Sequence, residues 1–394
     1  MENNDHRRLG SDLSLYHIQE NAPGMVFWHP RGYTVYRVLE DYIRKKMRGL
    51  GYQEVRTPQL LPRELWEQSG HWDKFKQNMY CVSDDDEREF ALKPMSCPCH
   101  LQIFNQGVRS WRELPIRYAE FGACHRNEPS GSMHGLMRTR AFEQDDAHVL
   151  CREEDVQNEV ARFIGLLDQV YKDLGFANYE IALSTRPAVR AGSDELWDWA
   201  EAQLELAAKQ RGVEIQIQPG EGAFYGPKLE FVLKDRQGRS WQCGTVQLDV
   251  VLPKRLGASY IDKDGQPAVP MMIHHAVFGS MGRFLAILLE EHEGNLPYWL
   301  SPDQVAVIPI AEGQLDYARD VHARLFDEGV RSVLYEMNEG LSRKLVQSHQ
   351  DKVPVAVIVG RREAEAGQVA VRDADGSQKV MSIADAVELL RKRR

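Results

Sequence analysis

The sequence predicts an α+β domain built on an antiparallel sheet flanked by helices, followed by a smaller α/β domain. Three observations carry that reading. Apolar runs at Lys228–Leu233, Ser240–Val250 and Val269–Phe278 are bounded by Gly, Asp and Pro, not joined by regular crossover helices, which favours antiparallel pairing. After a linker at Leu296–Pro302 the pattern changes to strands alternating with helices, the mark of a mainly parallel sheet. No GxGxxG or GxxxxGK[ST] loop occurs, so a Rossmann or P-loop nucleotide site is excluded. The domains expected are residues 1–300 and 301–394.

Taken in order, Thr34–Leu50 reads as an amphipathic helix with Val35, Val38, Leu39, Tyr42, Ile43 and Met47 on one stripe. Gly51 ends it, and a strand at Tyr52–Val55 leads to Pro58. A β-hairpin follows: a strand Tyr118–Arg126, a Pro129-Ser130-Gly131-Ser132 loop and a return through Met137 to Phe142. A long helix is expected at Glu153–Leu174, a strand at Tyr179–Leu183 and a buried helix at Ser280–His292. The last domain reads strand (Val305–Ile310), helix (Gln314–Glu328), strand (Ser332–Leu334), helix (Leu341–Gln350), and strands Val355–Val359 and Gln368–Arg372. A final helix is opened by the Ser382-x-x-Asp385 capping pattern.

The 394 residues, 43% hydrophobic and 27% charged, suit a soluble multidomain protein. The N-terminus has no apolar core of a secretory signal and no run of about 18 apolar residues occurs, so the cytoplasm is expected and a membrane partner is not. Six scattered cysteines suggest neither a disulfide framework nor a zinc ribbon. A net charge of −9 opposes simple electrostatic capture of nucleic acid, leaving local basic patches such as Arg391-Lys392-Arg393-Arg394.

The hairpin carries the chemistry. Arg126, Glu128, Arg138 and Phe142 offer guanidinium forks for phosphates, a carboxylate for an exocyclic amine and an aromatic face for a purine. On residue types alone the same set could be a solvated charged hairpin. Likewise Cys97, His148 and His274 lie far apart, and each alone reads as a packed side chain. Cys99, two residues from Cys97 on an expected strand, reads as inert filler.

HRNEPSGSMHGLMRTRAF resembles motif 2 of the class II aminoacyl-tRNA synthetases, in the form the threonyl-tRNA synthetase family uses. GMVFWHPRGYTVYRVLEDYIR and YQEVRTPQLL resemble its motif 1 region, with Pro58 at the dimer-interface proline. KPMSCPCH, GEGAFYGPKLEF, WQCGTVQLD and MMIHHAVFGSMGRF resemble its later active-site segments, and the likeness runs from about Asp5 to the end. The resemblance implies a class II catalytic domain, an anticodon-binding-like C-terminal domain and a homodimer joined through motif 1. It implies a ligase that activates L-threonine with ATP and Mg²⁺ and transfers it to tRNA(Thr).

Carried over position by position, the resemblance makes Cys97, His148 and His274 ligands of Zn²⁺. Asp146 would take the substrate hydroxyl, and Gln144 and Tyr225 its carboxylate and amine. Arg126 would hold the α-phosphate, Arg138 and Arg283 the γ-phosphate, Glu128 the adenine amine and Phe142 the adenine ring. Lys228 and Gln242 would line the phosphate and magnesium region, Gln247 and Ser280 would complete the pocket, and His71 would help deprotonate the tRNA ribose.

Three departures stand out. The chain begins at the catalytic domain, which implies a short form without the N-terminal editing domains. Gly282 stands where motif 3 has a Glu, which could loosen Arg283, and Val346 stands at an arginine position associated with anticodon reading. These leave two alternatives: a paralogue that loads threonine or a related β-hydroxy amino acid onto a non-tRNA acceptor such as a carrier protein, and a regulatory relative that charges nothing.

Overall fold

The computed structural model describes residues 4–393. Two compact units are present: one holds Ile18–Val26 and Glu40–Ile287, the other Phe27–Leu39, the described residues up to His17 and those from Leu288 onward.

The first unit is organised by an eight-stranded sheet. Its strands are β1 (Gln53–Glu54), β2 (Ile116–His125), β3 (Ala141–Cys151), β4 (Glu180–Ser184), β5 (Gln216–Gln218), β6 (Lys228–Lys234), β7 (Ser240–Asp249) and β8 (Met271–Ala276). Their spatial order is β5-β4-β6-β7-β8-β3-β2-β1. The six central strands pair antiparallel, as expected, and only the short edge strands β5 and β1 pair parallel.

One sheet face is covered by the helix Val156–Asp173. Its buried stripe includes Val160, Phe163, Ile164, Leu167 and Val170, each worth roughly 1.5–3 kcal/mol of apolar transfer. Phe163 meets His275 of β8 at 4.4 Å between ring centroids, and Tyr171 Oη accepts from the Gly244 N–H of β7 at 3.0 Å. The opposite face is left for chemistry.

In the second unit a five-stranded sheet runs Ser332–Leu334, Val305–Pro309, Val355–Val359, Gln368–Asp373, Gln378–Ser382. The first three strands are parallel and the last two antiparallel. Val305, Val307, Val355, Val357 and Val359 pack on one side with Ala318, Val321 and Leu390, while Ala306, Ile308, Ala356 and Ile358 pack on the other. Burial on both faces is why these strands read as near-continuous apolar runs. Ser382 caps the final helix, Ile383–Lys392, by accepting from the Asp385 N–H at 3.1 Å.

Several expectations need correction. The hairpin ladder stops at His125 and resumes only at Ala141, so the return strand does not include Met137. Residues between are a loop with a 3₁₀ turn at Ser130–Ser132, where Pro129, Gly131 and Gly135 do not sustain a ladder. Cys97 and Cys99 lie at the start of a helix, Cys97–Phe104, and not on a strand; Pro98 sits in its first turn, where a missing N–H costs nothing. The helix Asp194–Gln210 and the strand Gln378–Ser382 had no sequence expectation.

Candidate active site

Register builds the site. Tyr118, His148, His274, Gln247 and Lys228 are in-register partners across β2, β3, β8, β7 and β6. Directly opposed residues project to one face. Along β3 the same face carries every second residue: Phe142, Gln144, Asp146 and His148.

At one end of this row is a buried donor set. His148 Nε2 lies 3.0 Å from His274 Nδ1, and Cys97 completes a group whose ligand atoms lie within 4.8 Å of one another. The surrounding bonds fix the ring protons. Asp249 Oδ2 only accepts, so His274 donates from Nε2 at 2.9 Å and keeps a bare Nδ1. Glu120 Oε2 takes the Nε2 proton of His100 at 3.1 Å, so the His148 Nδ1 proton goes to His100 Nδ1 at 2.8 Å and His148 Nε2 is bare. Glu120 is held in turn by Lys93 at 3.1 Å and the Thr57 N–H at 2.8 Å.

Two bare nitrogens and a thiol facing one point repel each other unless a cation is shared. At metal–nitrogen distances of about 2.0–2.1 Å, two tetrahedral nitrogens stand roughly 3.4 Å apart, close to the spacing here. A ligating histidine that donates its other N–H to a carboxylate is the usual outer arrangement of such sites. The donors therefore fit a zinc-type ion with an open position. Burial, with His274 and His100 nearby, holds His148 well below the usual imidazole range, and burial raises the Cys97 thiol. Cys99 is not in the group, and burial pushes it up to about 11.

Beside this cluster, Asp146 accepts from the Ser96 N–H at 3.3 Å and lies 3.7 Å from His148 Nε2. Tyr225 stacks on His274 at 5.4 Å and donates its hydroxyl to Gln247 Oε1 at 2.7 Å. Gln247 thus ties the two ends together.

At the other end Arg126, Glu128, Arg138, Phe142, Gln144, Lys228, Gln242, Gln247, Ser280 and Arg283 line one cavity of about 230 Å³. Only Phe142 and Gln144 come from β3; Arg126, Glu128 and Arg138 come from the loop. The Arg126 guanidinium lies 5.2 Å over the Phe142 ring and bonds Pro94 O at 3.2 Å. Arg283 donates to Met137 O and Gln242 O, both at 2.8 Å, and lies over Trp241 at 5.5 Å. Those two carbonyls hold the Arg283 side chain in place with glycine at position 282.

Among the described residues no carboxylate pairs with Arg126, Arg138 or Arg283, whereas Lys228 pairs with Glu230. Burial lowers the Arg283 pKa, with Arg138 and Arg126 adding to the effect. Three guanidiniums share the cavity with one carboxylate, Glu128, which pairs with none of them, and this excess of positive charge suits a polyanionic ligand.

His71 is not on the cavity wall. It is buried on a five-residue helix, its Nδ1 on Ser69 Oγ at 2.8 Å and its Nε2 without a partner, and burial brings its pKa down to about 4. Asp249, His100, Glu120 and Lys93 were not anticipated. His100 is three residues from Cys97, a helical spacing, and Asp249 is two from Gln247 on one strand face.

A central antiparallel sheet whose one face joins a guanidinium-lined cavity to a buried polar cluster is the arrangement expected of a class II aminoacyl-tRNA synthetase, and comparison with known proteins shows that class. The family model described as "tRNA synthetase class II core domain (G, H, P, S and T)" matches residues 80–292, and that described as "Anticodon binding domain" matches 304–393. A threonine–tRNA ligase of Rhodospirillum rubrum is 53% identical over 99% of this chain and 60% of its own length. The RNA binding domain of threonyl-tRNA synthetase from Cryptosporidium parvum superimposes with a TM-score of 0.93 at 38% identity, covering 99% of this chain and 98% of that one. A putative threonyl-tRNA synthetase from Aeropyrum pernix gives a TM-score of 0.84 at 30% identity, over 98% and 93%. The chain belongs to the threonyl-tRNA synthetase family. It spans about 60% of the length of the curated relatives it matches.

Proposed function

We propose that this chain condenses L-threonine with ATP to threonyl-adenylate and passes the threonyl group to tRNA(Thr). One observation supports the reading: a single sheet face runs from the Cys97, His148 and His274 donor cluster beside Asp146 to a cavity in which three guanidiniums have no carboxylate partner. The first step is attack of a threonine carboxylate oxygen on the α-phosphorus, releasing pyrophosphate. Positioning and charge neutralisation do the work.

In this reading Arg126 takes the α-phosphate and Arg138 and Arg283 the γ-phosphate. Glu128 and Phe142 hold adenine, and Lys228, Gln242 and Gln247 line the phosphate and Mg²⁺ region with Ser280. Cys97, His148 and His274 would hold Zn²⁺, which supplies a Lewis-acid anchor for the amine and hydroxyl of threonine. Asp146 takes the hydroxyl; Gln144 and Tyr225 orient the amine and carboxylate. A site built to receive a hydroxyl rejects valine by a factor of order 10⁴. His71, given a part in deprotonating the ribose by the resemblance, is buried away from the cavity wall and its pKa of about 4 makes it a weak base, so its unpartnered Nε2 alone speaks for that part.

Residues 1–300 would form the catalytic domain and 301–394 the anticodon-binding domain. The open edge strand β1, with Pro58 and Leu60 exposed after it, supports dimerisation through that edge. No helix among the described residues is long and apolar enough to cross a membrane, in keeping with a cytoplasmic setting.

A second reading, transfer to a carrier-protein thiol, is favoured by the C-terminal surface. Arg391, Lys392 and Arg393 are each paired to a carboxylate (Glu328, Glu388, Asp373), and Val346 is half exposed where a cation would read RNA. Threonine-dependent ATP–pyrophosphate exchange tests activation, and its absence sinks both readings. Charging of tRNA(Thr) then separates them: strong exchange without charging leaves only the second.

A further inference from the structure

Asp145 has the opposite parity to the site residues of β3, so its carboxylate lies on the far face of the sheet. There it is buried and accepts from three consecutive backbone N–H groups: Val277 at 2.8 Å, Phe278 at 3.1 Å and Gly279 at 2.9 Å. No ion pair holds it among the described residues; its partners are all main-chain donors. A buried carboxylate is costly unless its lone pairs are answered, so three bonds to one turn mark a tight clamp.

That turn is the entry to the phosphate cavity. Gly279 has φ +69°, and a Cβ there would stand 2.5 Å from Cys243 O, so the backbone follows one narrow path. The next residue, Ser280, bridges to Gln144 and its Oγ accepts from the Arg283 N–H at 3.3 Å. A shift of the 277–279 backbone would therefore move Ser280 and Arg283 together, while His148, three residues past Asp145 on β3, stays paired with His274.

We infer that Asp145 is a positioning residue for the phosphate side of the reaction, fixing from behind the sheet the turn that aims Ser280 and Arg283. The inference rests on the reading of the cavity as the ATP site. Asp145→Asn keeps the shape but turns one acceptor into a donor facing donors. In the purified chain, threonine-dependent exchange should show the ATP KM raised about tenfold, with the threonine KM and bound zinc within about twofold of the unmodified protein. Asp145→Ser, which keeps an acceptor but shortens its reach to the turn, should shift the ATP KM the same way, and it decides the matter if Asp145→Asn does not fold. An unchanged ATP KM in a folded variant overturns the inference, as does an equal rise in both KM values. If the unmodified protein itself shows no ATP-dependent exchange, the reading of the cavity falls and the role of Asp145 with it.

Discussion

Around Cys97 the buried charges answer one another: Glu120 meets Lys93, Thr57 and His100, and Asp249 meets His274. Around Arg283 they do not. Arg126, Arg138 and Arg283 share a cavity with carbonyls and a ring face, and no carboxylate pairs with any of them. The first region is organised before any ligand arrives, its imidazoles already turned to present lone pairs. The second keeps three guanidiniums against one carboxylate, Glu128, an excess of positive charge that an anionic ligand would relieve. Fixed dipoles can keep an arginine in place without cancelling its charge, which leaves that charge for the ligand.

Experiments that remove one group at a time sharpen this contrast. The largest effect is expected from Cys97→Ala. Bound metal should fall from about one ion per chain to none, and exchange by on the order of 10³-fold. A variant that keeps both metal and activity would refute the donor set. Arg126→Ala should cost about 10²–10³-fold in exchange while metal content stays unchanged; loss of metal there would mean that the two ends are not separable.

Next comes acidity. Burial pushes Glu120 up, but His100, the Thr57 N–H and Lys93 outweigh it and bring the carboxyl down to about 2. A carboxylate lowered in the fold stabilises above its unfolded pKa of about 4.5, and that stability is lost as pH falls through about 2. The contribution is on the order of 3 kcal/mol. Glu120→Gln should flatten the acid limb of a Tm-against-pH curve; an unchanged limb would show that the network carries no such linkage. The smallest effect is set for Asp249→Asn, where metal affinity should weaken roughly 10–100-fold with little change in ATP KM. Equal affinity would make the Asp249–His274 bond incidental.

The site residues were legible through the resemblance, since on residue types alone the hairpin set reads equally as a solvated hairpin; the fold adds a local period among them. Phe142, Gln144, Asp146 and His148 alternate along one strand, and parity alone puts them together. In the second unit Gly and Pro punctuation is dense, and Ser332–Leu334, Leu341–Gln350 and Val355–Val359 have the bounds the pattern implies. The helix Asp194–Gln210 was missed because its buried stripe is mostly alanine (Ala200, Ala207, Ala208), too weak for a clear period. Cys97–Phe104 is short and apolar nearly all round, so nothing distinguished helix from strand. Asp249 and Glu120 depend on which strand lies beside which, and no local pattern holds that. The six cysteines are free, in keeping with their scattered spacing.

The in-register row from His148 through His274 and Gln247 to Lys228 works as a ruler. Its divisions are whole strands, about 4.8 Å apart. The separation between what binds at one end and what binds at the other is therefore counted, not tuned. Substituting a side chain at one division can change which group is recognised there. Stretching the interval by a fraction is not open to this architecture, and slipping a strand by one residue would turn its entire scale to the wrong side of the sheet.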